Sequence, residues 1–175
     1  MPRRFMIVER IAFALLIYRL ANCAHLDRWE PLREEALFTM QAANERMALM
    51  EKAMAAGTAL HLLSFTSERR NVLIGDCHFT NTVPGSFQAC HLGYSIDQHC
   101  EGRGLMREAL VAALGFIFDA YRLHRLMASY RPENYRSRRL LASLGFEHEE
   151  LAKAYLKIDG QWADHVLTSL VNPKD

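Results

Sequence analysis

The sequence predicts an α+β fold, in which a mixed, mostly antiparallel sheet carries helices on both faces. Three observations lead to this prediction. Strand-forming stretches follow one another in the middle of the chain, amphipathic stretches with helical spacing flank them, and the turn-forming pair Asp159 and Gly160 separates two further strand-like stretches. Because no repeat or linker-like segment interrupts residues 1–175, we expect a single domain.

The first part of the chain is predicted to form a short strand and two helices. Residues 5–8 have strand character, and Ile11, Ala14, Leu15 and Tyr18 then recur at helical spacing. Pro31 suits the first turn of a second helix, and Gly57 suits its end. The apolar stripe of this second helix is expected to consist of Leu37, Met40, Met47, Met50 and Met54.

The rest of the chain is predicted to form a three-stranded antiparallel segment, then alternating helices and strands. Residues 59–97 are rich in strand formers and are interrupted by SERRN at 67–71 and TVPGS at 82–86, which are typical of turns. The later elements are a helix over 103–121, a strand over 125–132, a helix over 134–144 that Gly145 closes, and hairpin strands over 148–158 and 162–171. Asp159 and Gly160 form the expected hairpin turn.

The composition argues against several classes of function. A formal net charge of +1 provides no overall field that would attract nucleic acid or an anionic membrane, so neither is expected as a partner. The four cysteines lack C-x-x-C spacing, which is typical of a reducing cytoplasm, and the eight histidines lack metal-ligand spacing, so no metal is expected. Charges at Glu9, Arg10 and Arg19 interrupt the apolar start, which argues against a signal peptide or a membrane span and favours a cytoplasmic protein.

The segment DQHCEGRGLMREAL, residues 97–110, places two glycines where a helix is expected to begin. The start of a helix offers unpaired amides and the positive end of the helix dipole, which together favour an anion such as phosphate. Gly102 and Gly104 have no Cβ to keep an anion away from those amides, and Arg103 adds a charged donor. By itself the pattern favours an ordinary turn from strand to helix. It lacks the full G-x-G-x-x-G signature of a dinucleotide site.

Further motifs around these glycines together resemble a known family. GSFQACHLGYSI, GRGLM, PENYRS, LLASLGFE and IDGQWADHVL resemble the GNAT superfamily of acetyl-CoA-dependent N-acetyltransferases, and within it the Rim-type ribosomal-protein-alanine N-acetyltransferases, most closely the RimJ type. The resemblance implies a GNAT fold whose sheet is splayed between its fourth and fifth strands, HLGYSID and LMASYRP. Met106 stands where the superfamily usually has Gly or Ala. Glu101 stands where it prefers Gln or Arg, and we expect this carboxylate to weaken anion binding unless its side chain turns to solvent.

The resemblance also implies acetyl-CoA as the co-substrate and roles for particular residues. Those assigned to the cofactor are Leu92, Gly93, Tyr94 and Ile96 along the pantetheine arm, Gly102, Arg103, Gly104, Leu105 and Met106 at the diphosphate, and Asn134 and Arg138 at the next helix. Asn134 and Ser137 are assigned to catalysis, with Ser137 placed to protonate the departing thiolate, although Asn134 also suits a plain helix N-cap. Trp29, Glu30 and Trp162 are placed on the acceptor side. No metal is implied.

The expected reaction is transfer of the acetyl group to the N-terminal α-amine of a ribosomal protein, with alanine as the expected first residue. Two alternatives remain open: acetylation of a small amine such as a polyamine or an aminoglycoside, and a non-catalytic acyl-CoA-binding module. The general base is also open, because Glu30 and Asp164 are the acidic candidates and either side chain suits a structural role. The protein is expected to be a monomer or a homodimer.

Overall fold

The structure, a computed structural model, describes residues 2–32, 34–66 and 72–174. The helices are α1 (Pro2–Leu26), α2 (Met40–Ala55), α3 (Leu105–Tyr121) and α4 (Tyr135–Ser143), with 3₁₀ turns at Glu35–Leu37 and Gln98–Cys100. The strands are β1 (Leu60–Phe65), β2 (Leu73–Val83), β3 (Ala89–Ile96), β4 (Arg125–Tyr130), β5 (Glu147–Ile158) and β6 (Gln161–Val171).

The strands form one mixed sheet in the order β1-β2-β3-β4-β6-β5. Of the strand pairs in the described part of the chain, only β3–β4 is parallel, so the predicted mostly antiparallel sheet is confirmed. The predicted final hairpin is also confirmed. Asp159 and Gly160 both have left-handed backbone angles, with φ of 46° and 74°, as a tight two-residue hairpin turn requires.

Helices cover both faces of the sheet, as predicted. On one face, Leu110 and Ile117 of α3 pack against Phe79 of β2 and Leu126 of β4 in the larger core, which α4 also joins. On the other face, α1 and α2 share a second core with β1 and β2. Because neighbouring residues of a strand point to opposite faces, β2 supplies side chains to both sides of the sheet. The fold therefore has three layers, with the sheet between two layers of helices.

The predicted first strand is wrong, because residues 5–8 lie within α1. No glycine interrupts the chain from Pro2 to Leu26, and proline suits the first turn of a helix, so nothing in this stretch ends the helix early. Four residues are also too few to distinguish the strand period from the helix period. The sheet accordingly has six strands among the described residues.

The predicted start of the second helix is also wrong. Pro31 lies in an irregular segment, and α2 begins at Met40, where the Thr39 hydroxyl accepts a hydrogen bond of 3.2 Å from the Ala42 amide. Of the predicted apolar stripe, Met47 and Met50 are buried as expected. Leu37, which falls in the preceding 3₁₀ turn, is exposed, and so are Met40 and Met54. The predicted turn SERRN lies outside the described residues.

Candidate active site

The parallel pair β3–β4 separates partway along its length. Its ladder runs from Ala89 opposite Arg125 to Leu92 opposite Ala128 and then ends, so the remaining residues of β3 and β4 are not paired with each other. These are the two strands for which the resemblance implies a splay. The opening lies between the third and fourth strands, one place earlier than expected, because the predicted first strand belongs to α1.

A cavity of about 680 Å³ opens at this separation and is lined from both faces of the sheet. Most of the residues singled out from the sequence line it: Trp29, Glu30, Leu92, Gly93, Tyr94, Ile96, Gly102, Gly104, Leu105, Met106, Asn134 and Ser137. Arg103, Arg138 and Trp162 are not among the lining residues, whereas Arg107, Arg136 and Arg139 are. The structure therefore gathers the predicted set around one opening and leaves three of its members outside.

The start of α3 forms one wall of the cavity. Gly102 and Gly104 have left-handed φ angles of 71° and 76°, and a Cβ built on either glycine would meet no atom within 4 Å. Gly104 is the N-cap and provides no side chain to pair with the first helical amides, so α3 starts at Leu105 and not at Arg103 as predicted. Unpaired amides at the positive end of a helix, in front of open space, suit an anionic group. Arg107, in the first turn, adds a positive charge to the same wall.

Ser137 is held at the opposite wall by two contacts. Its hydroxyl lies 2.6 Å from that of Tyr94, and its amide donates a hydrogen bond of 3.1 Å to the side-chain oxygen of Asn134, the N-cap of α4. Burial raises the pKa of Tyr94, so this phenol stays protonated at neutral pH and is able to donate to Ser137. The Ser137 hydroxyl then has its own proton available for another acceptor. Sequence reasoning named both residues but did not reveal this hydrogen bond.

A buried polar cluster forms the floor of the cavity on the α1 side of the sheet. Both Glu30 carboxylate oxygens accept hydrogen bonds of 2.9 Å from Arg19, which also donates a bond of 2.6 Å to Asp76. Ser95 donates to the second Asp76 oxygen, and the Tyr18 hydroxyl lies 2.8 Å from that of Ser95. Nε2 of His78 lies 2.9 Å from the Asp76 oxygen that accepts from Arg19, so both carboxylates of the cluster are paired with cationic or imidazole side chains.

Sequence reasoning found Glu30 but missed Arg19, Asp76 and Ser95. A signal was present, because Asp76 lies in the largely apolar stretch of a predicted strand, and Arg19 follows the apolar run of α1. A buried charge needs a partner of opposite sign, so these two residues were candidates for an ion pair. Burial alone raises the pKa of Asp76, but the nearby His78 and Arg19 outweigh that effect and hold it well below its usual range.

The expectation for Glu101 needs correction. Its carboxylate does not turn to solvent but pairs with Arg136 of α4 and lies 3.1 Å from Nε2 of His25 in α1. The carboxylate therefore links two helices on either side of the cavity. Because Arg136 compensates its charge, Glu101 repels an anion at the start of α3 less than the sequence alone suggested.

The two tryptophans differ in their positions. Trp29 lines the cavity, and the Arg28 guanidinium lies 4.4 Å from the centre of its ring system. Trp162 is 67% exposed on β6, so the structure does not bring it to the cavity. Asp164, an acidic candidate for the base, accepts a hydrogen bond of 2.8 Å from the Ala154 amide and so stabilises the irregular part of β5.

Over residues 2–32, 34–66 and 72–174, no three His, Cys, Asp or Glu side chains are grouped so as to hold a metal ion. Within the same part of the chain, no helix combines the length and apolarity needed to cross a membrane.

Comparisons with known proteins agree with this geometry. A family model described as an acetyltransferase (GNAT) domain matches residues 13–147. The chain is 44% identical, over 94% of its length and 84% of the relative's, to the [ribosomal protein uS5]-alanine N-acetyltransferase of Escherichia coli. It superposes with a TM-score of 0.90 and 36% identity on the ribosomal-protein-S5-alanine acetyltransferase of Vibrio fischeri, covering 94% of this chain and 90% of that one. Mycobacterium smegmatis RimJ in complex with CoA-disulfide gives a TM-score of 0.88 at 30% identity, covering 95% and 79%.

Proposed function

The chain belongs to the GNAT acetyltransferase family, and from that premise we propose that it acetylates the N-terminal α-amine of a ribosomal protein that begins with alanine. Acetyl-CoA is the acetyl donor. The observation that carries the proposal is the 44% identity with the E. coli ribosomal protein uS5-alanine N-acetyltransferase across almost the whole chain. We also propose that residues 1–175 form one domain and that the protein acts in the cytoplasm, where ribosomal proteins are found.

The cavity has the features that acetyl-CoA requires. The unpaired amides at the start of α3, with Gly102 and Gly104 in front of open space, suit the diphosphate. The part of β3 from Gly93 onward has lost its β4 partner, so its free backbone groups suit the pantetheine amides in the manner of an added strand. When bound, acetyl-CoA supplies an activated thioester. Leu92, Tyr94, Ile96, Leu105 and Met106 supply apolar surface along this path.

The side chains near the separated strands have distinct tasks in the proposed reaction. Backbone amides in the separated part of β3 stabilise the oxyanion that forms when the amine attacks the thioester carbonyl. Ser137 donates a proton to the departing thiolate and receives one from Tyr94, 2.6 Å away; solvent returns a proton to Tyr94 and takes up the one that the attacking amine releases. Asn134 caps α4 and fixes the Ser137 backbone through its 3.1 Å hydrogen bond. We propose that Arg103 and Arg138, outside the cavity lining, meet the cofactor at its solvent-exposed end.

The acceptor amine is proposed to enter on the α1 side, past Trp29 and Glu30. The Glu30 carboxylate lies on the cavity lining here and supplies an acceptor for the hydrogen bonds of an incoming amine. An α-amine has a pKa of about 7.7–8.0 and a lysine side chain about 10.4, so deprotonating lysine at neutral pH costs roughly 3 kcal/mol more. An N-terminal amine therefore needs little help from a base. This difference favours α-amines over lysine side chains.

The proposal is tested by thiol release from acetyl-CoA in the presence of a panel of acceptors. The panel contains a peptide with a free N-terminal alanine, the same peptide with a blocked N-terminus, a lysine-bearing peptide, a polyamine and an aminoglycoside. We expect release with the first peptide alone. Release with the small amines alone would indicate a small-molecule acetyltransferase. Calorimetric binding of CoA without transfer to any acceptor would indicate a non-catalytic module.

A further inference from the structure

Helix α1 has a second apolar face that the fold does not bury. Leu15, Tyr18 and Asn22 lie on the face against the sheet and are at most 2% exposed. On the opposite face, Phe13, Ile17 and Leu20 are 56%, 48% and 47% exposed. Three large apolar side chains in one row on a solvent-facing helix are typical of a surface that binds a partner.

The exposed row continues in both directions with a regular spacing. Its members are separated alternately by three and four residues, which is the spacing of a seam between two packed helices. We call these residues the α1 seam: Arg10, Phe13, Ile17, Leu20, Ala24 and Asp27. Arg10 and Ala24 are exposed and Asp27 is half-buried. One end of the seam is basic and the other is acidic.

The seam is complementary to itself when its direction is reversed. An antiparallel copy of α1, related by a two-fold axis between Ile17 and Leu20, places Ile17 against Leu20. The same operation places the large Phe13 against the small Ala24, and Arg10 against Asp27. Each contact occurs twice, as in any two-fold interface, where one patch meets the same patch on the other subunit. One pair joins a large to a small apolar side chain and another joins a basic to an acidic one, which points to a second copy of this chain and not to an unrelated apolar partner.

We propose that the protein forms a two-fold symmetric homodimer through antiparallel pairing of the α1 seam. Arg10 and Asp27 are 17 residues apart, so the seam is about 25 Å long at 1.5 Å per residue. Three large apolar side chains per subunit cover less than the roughly 800 Å² per partner of a standard interface, so the dimer is expected to be reversible and dependent on concentration. Arg19 and Leu26, which line the cavity, lie on the buried face of α1, so pairing leaves both cavities open.

The proposal is tested by sedimentation velocity of the full chain over a range of concentrations. The unaltered protein is expected to shift from a monomer of 20.1 kDa to a dimer as its concentration rises. Leu20→Asp brings like charges together beside the two-fold axis and is expected to abolish the dimer. Because Leu20 is exposed, circular dichroism is expected to show an unchanged fold in this variant.

Charge reversal gives a more specific test. Arg10→Asp and Asp27→Arg each turn two attractive pairs into two repulsive ones, and each is expected to weaken dimerisation by about tenfold. The double variant R10D/D27R restores both pairs in swapped order and is expected to recover dimerisation. If the unaltered chain stays a monomer at every concentration up to about 1 mM, the Kd of a contact worth only about 4 kcal/mol, the proposal is overturned. A dimer that Leu20→Asp does not affect, or a double variant no better than either single reversal, would also overturn it.

Discussion

Replacing Gly104 with alanine is expected to have two effects: it lowers stability through backbone strain at the start of α3, and it weakens binding of the diphosphate. Gly104 has a φ of 76°, and a residue with a Cβ pays about 1–2 kcal/mol in this left-handed region. The new Cβ meets no protein atom within 4 Å, so no steric cost is added in the free protein. When the diphosphate binds, however, the methyl group stands in front of the helix amides. Loss of one charge-assisted hydrogen bond costs about 1.5–3 kcal/mol, or about 10- to 150-fold in affinity.

Gly57 offers a matched control for this experiment. Its φ is 69°, a Cβ there also meets nothing within 4 Å, and it lies after α2 and outside the cavity lining. Gly57→Ala and Gly104→Ala are therefore expected to lose a similar free energy of unfolding, measured by urea denaturation. Only Gly104→Ala is expected to raise the KM for acetyl-CoA and the Kd for CoA. If both variants keep the unaltered KM, the start of α3 does not bind the diphosphate.

Three further predictions concern single side chains. Ser137→Ala removes the proposed proton donor and is expected to lower kcat about 100-fold with little change in the KM for acetyl-CoA, measured by thiol release; an unchanged kcat would exclude the role. Asp76→Asn removes one of the two carboxylates that pair with Arg19 and is expected to cost about 1.5–3 kcal/mol of stability at pH 7, because Glu30 remains as a partner. Because folding lowers the pKa of Asp76, its carboxylate contributes fully to stability above the unfolded pKa of about 3.9, and this contribution is lost as the pH falls below that value. Urea denaturation at a series of pH values is therefore expected to show a smaller loss of stability in acid for Asp76→Asn than for the unaltered protein. Trp162→Ala is expected to change stability by less than about 0.5 kcal/mol and to leave the KM for acetyl-CoA unaltered, since Trp162 is exposed outside the cavity; a large rise in that KM would contradict its position.

Local patterns were sufficient to predict most of the sheet. The turn at Asp159 and Gly160 and the end of α4 at Gly145 depend on left-handed backbone angles that few residues adopt, so the sequence marks them directly. The start of the chain contains no glycine or turn-forming pair that would indicate where an element begins or ends. Residues 5–8 suit either a strand or a helix, and the decision depends on the long uninterrupted run up to Leu26.

The candidate site was predictable where it depends on the backbone and not where it depends on long-range pairing. Gly102 and Gly104 stand directly before a helix, so their position at its first turn follows from local sequence. The bond between Tyr94 and Ser137 joins residues 43 positions apart, and that between Arg19 and Asp76 joins residues 57 apart. No periodicity connects such pairs. Only the order of strands in the sheet brings them together.

The sequence-based expectation for Glu101 was wrong because its partners are also far away in the sequence. Its negative charge beside an anion site looks unfavourable in sequence, because its partners lie on α1 and α4. Once the fold brings Arg136 to this carboxylate, the charge is compensated and the side chain links two walls of the cavity. A charge can be judged only together with the charges that surround it in the folded protein.

Tandem mass spectrometry of a peptide that starts with alanine and contains one internal lysine tests the central claim most directly. After incubation with acetyl-CoA, the fragment masses identify which nitrogen carries the acetyl group. We predict acetylation of the N-terminal α-amine and an unmodified lysine. Acetylation of the lysine alone, or an unmodified peptide at full occupancy of the enzyme by acetyl-CoA, would contradict the account.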